Sequence, residues 1–96
     1  MKVELSREAQ ALAGEIDAWW REHRGGVPNL FVDELDEALQ ALAETPSLGV
    51  SYPVGAVPVK RVLLRRTHYH LYFVQEAARI HVVSIWSAFR GRGPKL

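Results

Sequence analysis

Residues 60–90 read KRVLLRRTHYHLYFVQEAARIHVVSIWSAFR, and this stretch decides the fold. β-Branched and aromatic residues crowd into short runs separated by polar breaks, the pattern of successive strands. The spacing predicts strands over residues 59–66, 69–74 and 80–86. The breaks, Arg66-Thr67-His68 and Gln75-Glu76-Ala77-Ala78-Arg79, are short enough for hairpins, so the three strands should be consecutive and antiparallel. Charged and imidazole groups thread through the same runs, so one face or rim of the sheet must be basic. Val83 is expected on the opposite, covered face.

Working towards the N-terminus, residues 47–58 are rich in Gly and Pro and have no period, which reads as a surface crossing. Before it, Val32, Leu35, Leu39 and Leu42 keep a three-and-four spacing, with Asp33, Glu34, Asp36 and Glu37 assigned to the outer face. Pro28 and Asn29 open this helix, and Thr45-Pro46 closes it because the residue before proline is pushed out of the α region. An earlier helix follows Ser6, a good N-cap, and buries Ala9, Leu12, Ala13, Ile16 and Trp19 or Trp20. Gly25 and Gly26 should stop it through a left-handed C-cap. Trp19 and Trp20 read as packing residues. Residues 2–5 alternate like a strand and are short enough to be an edge.

The predicted fold is therefore α+β: a short N-terminal strand, then a helical hairpin packed on a three- to four-stranded antiparallel sheet. Ninety-six residues allow one domain, 1–96. It divides into an edge strand and helical hairpin (1–45), the antiparallel sheet (57–90) and a basic tail (91–96).

The net charge of +1 conceals an asymmetry. Residues 1–45 carry four basic and ten acidic groups, net −6, whereas residues 46–96 carry eight basic groups and one acidic, net +7. Such a division points to an acidic or polyanionic partner for the second half, or to neutralisation of one half by the other. No cysteine is present, which excludes disulfides and thiolate chemistry and fits a reducing compartment. MKVELSREAQ has no apolar signal core, and no apolar run approaches the ~20 residues of a membrane span. A soluble cytoplasmic protein without membrane partners is expected.

Among chemical readings, His68 and His70 would share a strand face and form half of a zinc site, with His81 joining only in one hairpin register. With only Glu76 nearby as a carboxylate, a complete ligand shell is hard to assemble, so no metal site is assigned. Ser84 and Ser87 lack an acidic residue to orient a histidine, and Gly91 and Gly93 open no helix, so triad and phosphate-loop chemistry do not fit. What remains is the basic set interleaved with Tyr69, Tyr72, Phe73 and Trp86. It suits phosphate pairing and base stacking, and equally an acidic protein segment.

The run LLRRTHYHLYFVQEAARIHVVSIWSAFRGRGPKL resembles the C-terminal half of the ParE branch of the RelE/ParE superfamily, toxins of bacterial type II toxin–antitoxin operons also called plasmid stabilisation proteins. The resemblance rests on Arg65-Arg66 ending a basic strand, the Tyr69-His70-Leu71-Tyr72-Phe73 strand, the close on Ile85-Trp86, and Arg90 before a Gly- and Pro-bearing end. LSREA at the start, the second helix from Phe31 to Leu42 and the segment after it also resemble the family. The element order, with a helical hairpin before the sheet, agrees along the whole chain.

The resemblance implies two activities. RelE-like members cut messenger RNA on the ribosome with basic sheet residues. Here that site would be Arg61, Arg65, His70 and Arg90, with Leu63 in place of a second lysine and His70 in place of an arginine. No tyrosine or histidine follows Arg90 to serve as an acid. These departures favour the ParE branch, whose members poison DNA gyrase by binding rather than through an active site of their own. In that reading Arg65, Arg66, Trp86, Arg90, Arg92 and Lys95 contact the target. The resemblance also implies a cognate antitoxin whose extended acidic segment covers the groove between helices and sheet, and no cofactor. A non-toxic family member that only binds its antitoxin is the third possibility.

Overall fold

Ser6 starts the first helix as its chemistry demands: its Oγ accepts from the Ala9 N–H at 3.0 Å. Its own N–H donates to the Val82 carbonyl at 2.9 Å, which ties the cap to the far end of the chain. The computed structural model describes residues 1–90, 93, 94 and 96, with Val54 described by its backbone alone. The elements are β1 (Lys2–Leu5), α1 (Arg7–His23), α2 (Leu30–Glu44), β2 (Val50–Val54), β3 (Val57–Leu64), β4 (Tyr69–Gln75) and β5 (Arg79–Ser87). Among the described residues no helix is long and apolar enough to cross a membrane.

The five strands form one sheet in the order β1-β5-β4-β3-β2. The two helices carry the chain from one edge of the sheet to the other and cover one face as they do so. Their apolar stripes meet it in two clusters. Trp20, Phe31 and Leu35 pack with Leu64, Leu71 and Ile85. Ala9 and Leu42 pack with Phe73, Ile80 and Val82. All these side chains are buried, which is where most of the folding free energy originates.

The α+β architecture and the helical hairpin are as expected, and several details differ. The sheet is mixed rather than antiparallel, because β1 pairs parallel with β5 from Lys2↔Arg79 to Leu5↔Val82. It also has a fifth strand inside residues 47–58, which were expected to be irregular. β2 runs antiparallel to β3 through a turn at Gly55, φ 54°. Its Pro53 faces Pro58 at the sheet edge, where a missing N–H costs little. Neither Gly25 nor Gly26 takes a positive φ; α1 ends instead on Arg24, whose N–H returns to the Trp20 carbonyl at 2.8 Å.

Two burial assignments change as well. Between β4 and β5 the register slips: Tyr72 pairs with Ser84 and Phe73 with Val82, leaving Val83 unopposed in a bulge. Val82 and Ile85, not Val83, therefore lie under the helices, and Val83 is half-buried. Glu34 is buried rather than on the outer face. Its carboxylate accepts from the Arg66 N–H (2.7 Å), the Thr67 N–H (2.9 Å) and the Thr67 hydroxyl (2.6 Å), so α2 holds the β3–β4 turn.

Candidate functional site

The face of the sheet away from the helices carries the polar chemistry. Arg61 on β3 stands opposite Tyr72 on β4, and His70 stands opposite Trp86 on β5. Tyr52 of the unexpected strand β2 completes the group, its ring 4.9 Å from that of Tyr72 and edge-on to it. With Ser87, Arg90 and Gly93 these residues line a cleft of about 410 Å³. Tyr72 is buried although no helix covers it, and Gly93 lies so close to Tyr52 and Tyr72 that a Cβ there would collide with the Tyr52 hydroxyl. Part of the chain end thus closes over this face.

The charges in the cleft rest on rings. The Arg61 guanidinium lies 5.0 Å from the Tyr52 centroid and that of Arg90 lies 4.5 Å from Trp86. Burial first, and then the Arg61 charge, hold the His70 imidazole below the ordinary histidine range, so it is neutral at pH 7. Arginine cannot serve as a general acid at that pH, and neither a carboxylate nor a lysine among the described residues lines the cleft. The set can bind and polarise an anion, but among the described residues its proton chemistry is limited to His70 and the hydroxyls of Ser87, Tyr52 and Tyr72.

Arg65 and Arg66 lie in the turn from β3 to β4, at the end of the sheet where β5 leaves. The two segments are tied: the Ala88 N–H donates to the His68 carbonyl at 2.7 Å, and the Phe89 ring sits 4.7 Å from the His68 imidazole. The structure thus brings Arg65 and Arg66 to the end of the sheet that carries Trp86 and Arg90. It engages Arg66 with Glu34 and with Glu37, the latter at 2.8 Å, while Arg65 stays exposed. Arg65 does not line the cleft with Arg61, His70 and Arg90. Arg92 and Lys95 lie outside the described residues.

The histidines do not converge. His68 sits in the turn with φ 62°, off the β4 face that carries His70, and His81 stands opposite Val74 towards the other end of the strand. No cluster of three metal-ligating side chains occurs among the described residues. Tyr52 and Phe89 were not singled out in the sequence. The alternation in Val50-Ser51-Tyr52-Pro53-Val54 was the available signal for the first.

A second, more apolar groove of about 430 Å³ runs between α1 and β5, lined by Leu12, Ile16, Trp19, Tyr69, Ile85 and Trp86 together with the polar Glu15, Ser87 and Arg90. It exists because β1 pairs with β5 only as far as Val82, which leaves the rest of that edge without a neighbouring strand.

The arrangement of a strand, a helical hairpin and a mixed sheet has a counterpart among solved structures. A solved structure described as "Chromosomal ParDE TA system from P. aeruginosa" matches this chain with a TM-score of 0.75 at 19% sequence identity, over 91% of this chain and 95% of that one. The resemblance drawn from residues 63–96 therefore holds for the fold of nearly the whole chain. No protein-family model matches the sequence, and no curated protein matches it.

Proposed function

We propose that this chain is the toxin of a type II toxin–antitoxin pair, that it acts in the cytoplasm by binding DNA gyrase, and that a cognate antitoxin neutralises it. The observation that carries the toxin reading is the likeness in fold to the ParDE toxin–antitoxin structure, across nine-tenths of the chain. An antitoxin with an extended acidic segment suits the +7 charge of residues 46–96, and the groove between α1 and β5 offers it an apolar seat beside an open strand edge.

Binding is favoured over cutting by the state of the polar cleft. Its guanidinium groups lie over Tyr52 and Trp86, and Gly93 packs against two of its rings. The meeting of Arg61, His70 and Arg90 in that cleft favours a second reading, a RelE-like ribosome-dependent ribonuclease.

Induced expression of the chain alone, with supercoiling and messenger RNA followed together, separates these readings. Growth arrest with loss of negative supercoiling and intact messenger RNA is the expected result. Rapid messenger RNA cleavage with normal supercoiling would transfer the assignment to the ribonuclease. Healthy growth with tight antitoxin binding would identify a non-toxic partner of the antitoxin.

A further inference from the structure

The most exposed large apolar side chain among the described residues is Phe89, 78% accessible, two residues after the end of β5. An aromatic ring left in water is unfavourable, and this one is held there. The Phe89 N–H donates to Ser87 Oγ at 3.3 Å, the neighbouring Ala88 N–H is fixed to the His68 carbonyl, and the ring leans on the His68 imidazole. His68 itself adopts a left-handed conformation that a non-glycine residue occupies only when its surroundings enforce it. The backbone that presents the ring is thus fixed and the His68 imidazole supports the ring, which lowers the entropic cost of using it. At the same end of the sheet are exposed Arg65, without an ion-pair partner among the described residues, and exposed Arg90 on the Trp86 ring.

We propose that Phe89 is the apolar anchor of a protein-docking surface at this end of the sheet, and that its partner is an acidic protein surface presenting an apolar socket rimmed by carboxylates. The proposal rests on the reading of the chain as a toxin that binds its target. A buried aromatic anchor with arginine at the rim is the composition that dominates binding energy at protein interfaces. A single-stranded nucleic acid fits less well: it needs successive rings and several available cations, whereas Arg66 is engaged by Glu34 and Glu37. A symmetric contact with a second copy through this end would set Arg65 and Arg90 against themselves.

The test measures binding of purified DNA gyrase by the intact chain and by Phe89→Ala, Phe89→Leu and Arg65→Glu, with growth arrest scored for the same four. Phe89→Ala should weaken binding roughly 30-fold or more, as loss of an interface anchor does. Phe89→Leu should retain most of the affinity, and Arg65→Glu should slow association and flatten its salt dependence. All should unfold at the wild-type urea midpoint, since the exposed ring supports no core. Phe89→Ala binding gyrase and arresting growth like wild type would overturn the proposal and leave the toxin reading intact. So would a loss confined to single-stranded oligonucleotide binding, or to self-association in sedimentation. Wild type that arrests growth without binding gyrase would remove the gyrase assignment alone. The anchor then stands if Phe89→Ala relieves the arrest and falls if it does not. Wild type that neither binds nor arrests growth would remove both.

Discussion

Replacing Glu34 with alanine tests whether one helical carboxylate holds the β3–β4 turn in place. The carboxylate accepts two backbone N–H groups and one hydroxyl, at 2.7, 2.9 and 2.6 Å, and Thr67 is as buried as Glu34 itself. Hydrogen bonds to a charged acceptor contribute roughly 1.5–3 kcal/mol each, so simple addition would give about 4.5–9 kcal/mol. Two effects reduce that sum: the Arg66 side chain is 51% exposed, so water can reach its end of the turn, and the variant no longer desolvates a charge. A net loss of about 3 kcal/mol is expected, because unpaired buried donors cost ~1–3 kcal/mol apiece. For a domain of this size that lowers Tm by about 12–24 °C, taking ~4–8 °C per kcal/mol.

The assay is urea denaturation followed by circular dichroism, with Glu34→Gln as a charge-removing control. Burial pushes the Glu34 carboxyl up, but the bonds from Thr67 and Arg66 outweigh it and hold the carboxyl below the usual glutamate range. A folded pKa below the unfolded value means that this group's stabilisation is complete above about pH 4.3, the free-glutamate value. It is lost as pH falls through the lower, folded value. The gap between wild type and Glu34→Gln should therefore be full at pH 7 and shrink on acidification. A Glu34→Ala variant within about 0.5 kcal/mol of wild type at pH 7, well short of one buried hydrogen bond, would refute the reasoning.

Gly49 has φ 99°, and a Cβ there would lie 2.9 Å from the Phe73 ring and 3.0 Å from the Arg61 carbonyl, so Gly49→Ala should cost about 2–4 kcal/mol in a thermal melt. Val82→Asp puts a charge beneath the helices and should give insoluble or unfolded protein, whereas Val83→Asp, in the bulge, should remain soluble and cooperative; equal effects would contradict the register. The Arg90 guanidinium lies over the Trp86 ring, and its N–H bond to the Ser87 carbonyl is a backbone contact that alanine keeps, so Arg90→Ala should lose growth arrest while its stability changes by no more than about 1 kcal/mol. Unchanged toxicity in that variant would take Arg90 out of the target surface.

The polar cleft was partly legible. Arg61, Arg65, His70 and Arg90 were marked by the resemblance to RelE-like members and Trp86 by the resemblance to the ParE branch; the cleft holds all of these but Arg65. Tyr52 was missed because Pro53, Gly55 and Pro58 made its strand look irregular, although an edge strand tolerates proline. Phe89 lies beyond the predicted strand, where no period assigns it a face, and only the fold places it in solvent. Glu34 was placed outside by its charge, since periodicity cannot tell that two amides and a hydroxyl will surround it.

Local pattern was enough for the helical hairpin, the three long strands, the Ser6 cap and the basic character of residues 46–96, because each depends on neighbours within a few positions. Tertiary structure alone decided three things. The first is the parallel pairing of β1 with β5, since alternation along a strand carries no record of its partner's direction. The second is the bulge at Val83, which rotates the end of β5 relative to its start and which a one-residue slip in pairing creates. The third is the assembly of the cleft and the Phe89 turn, whose parts lie far apart in the chain and meet only when the β3–β4 turn is tied to the exit of β5.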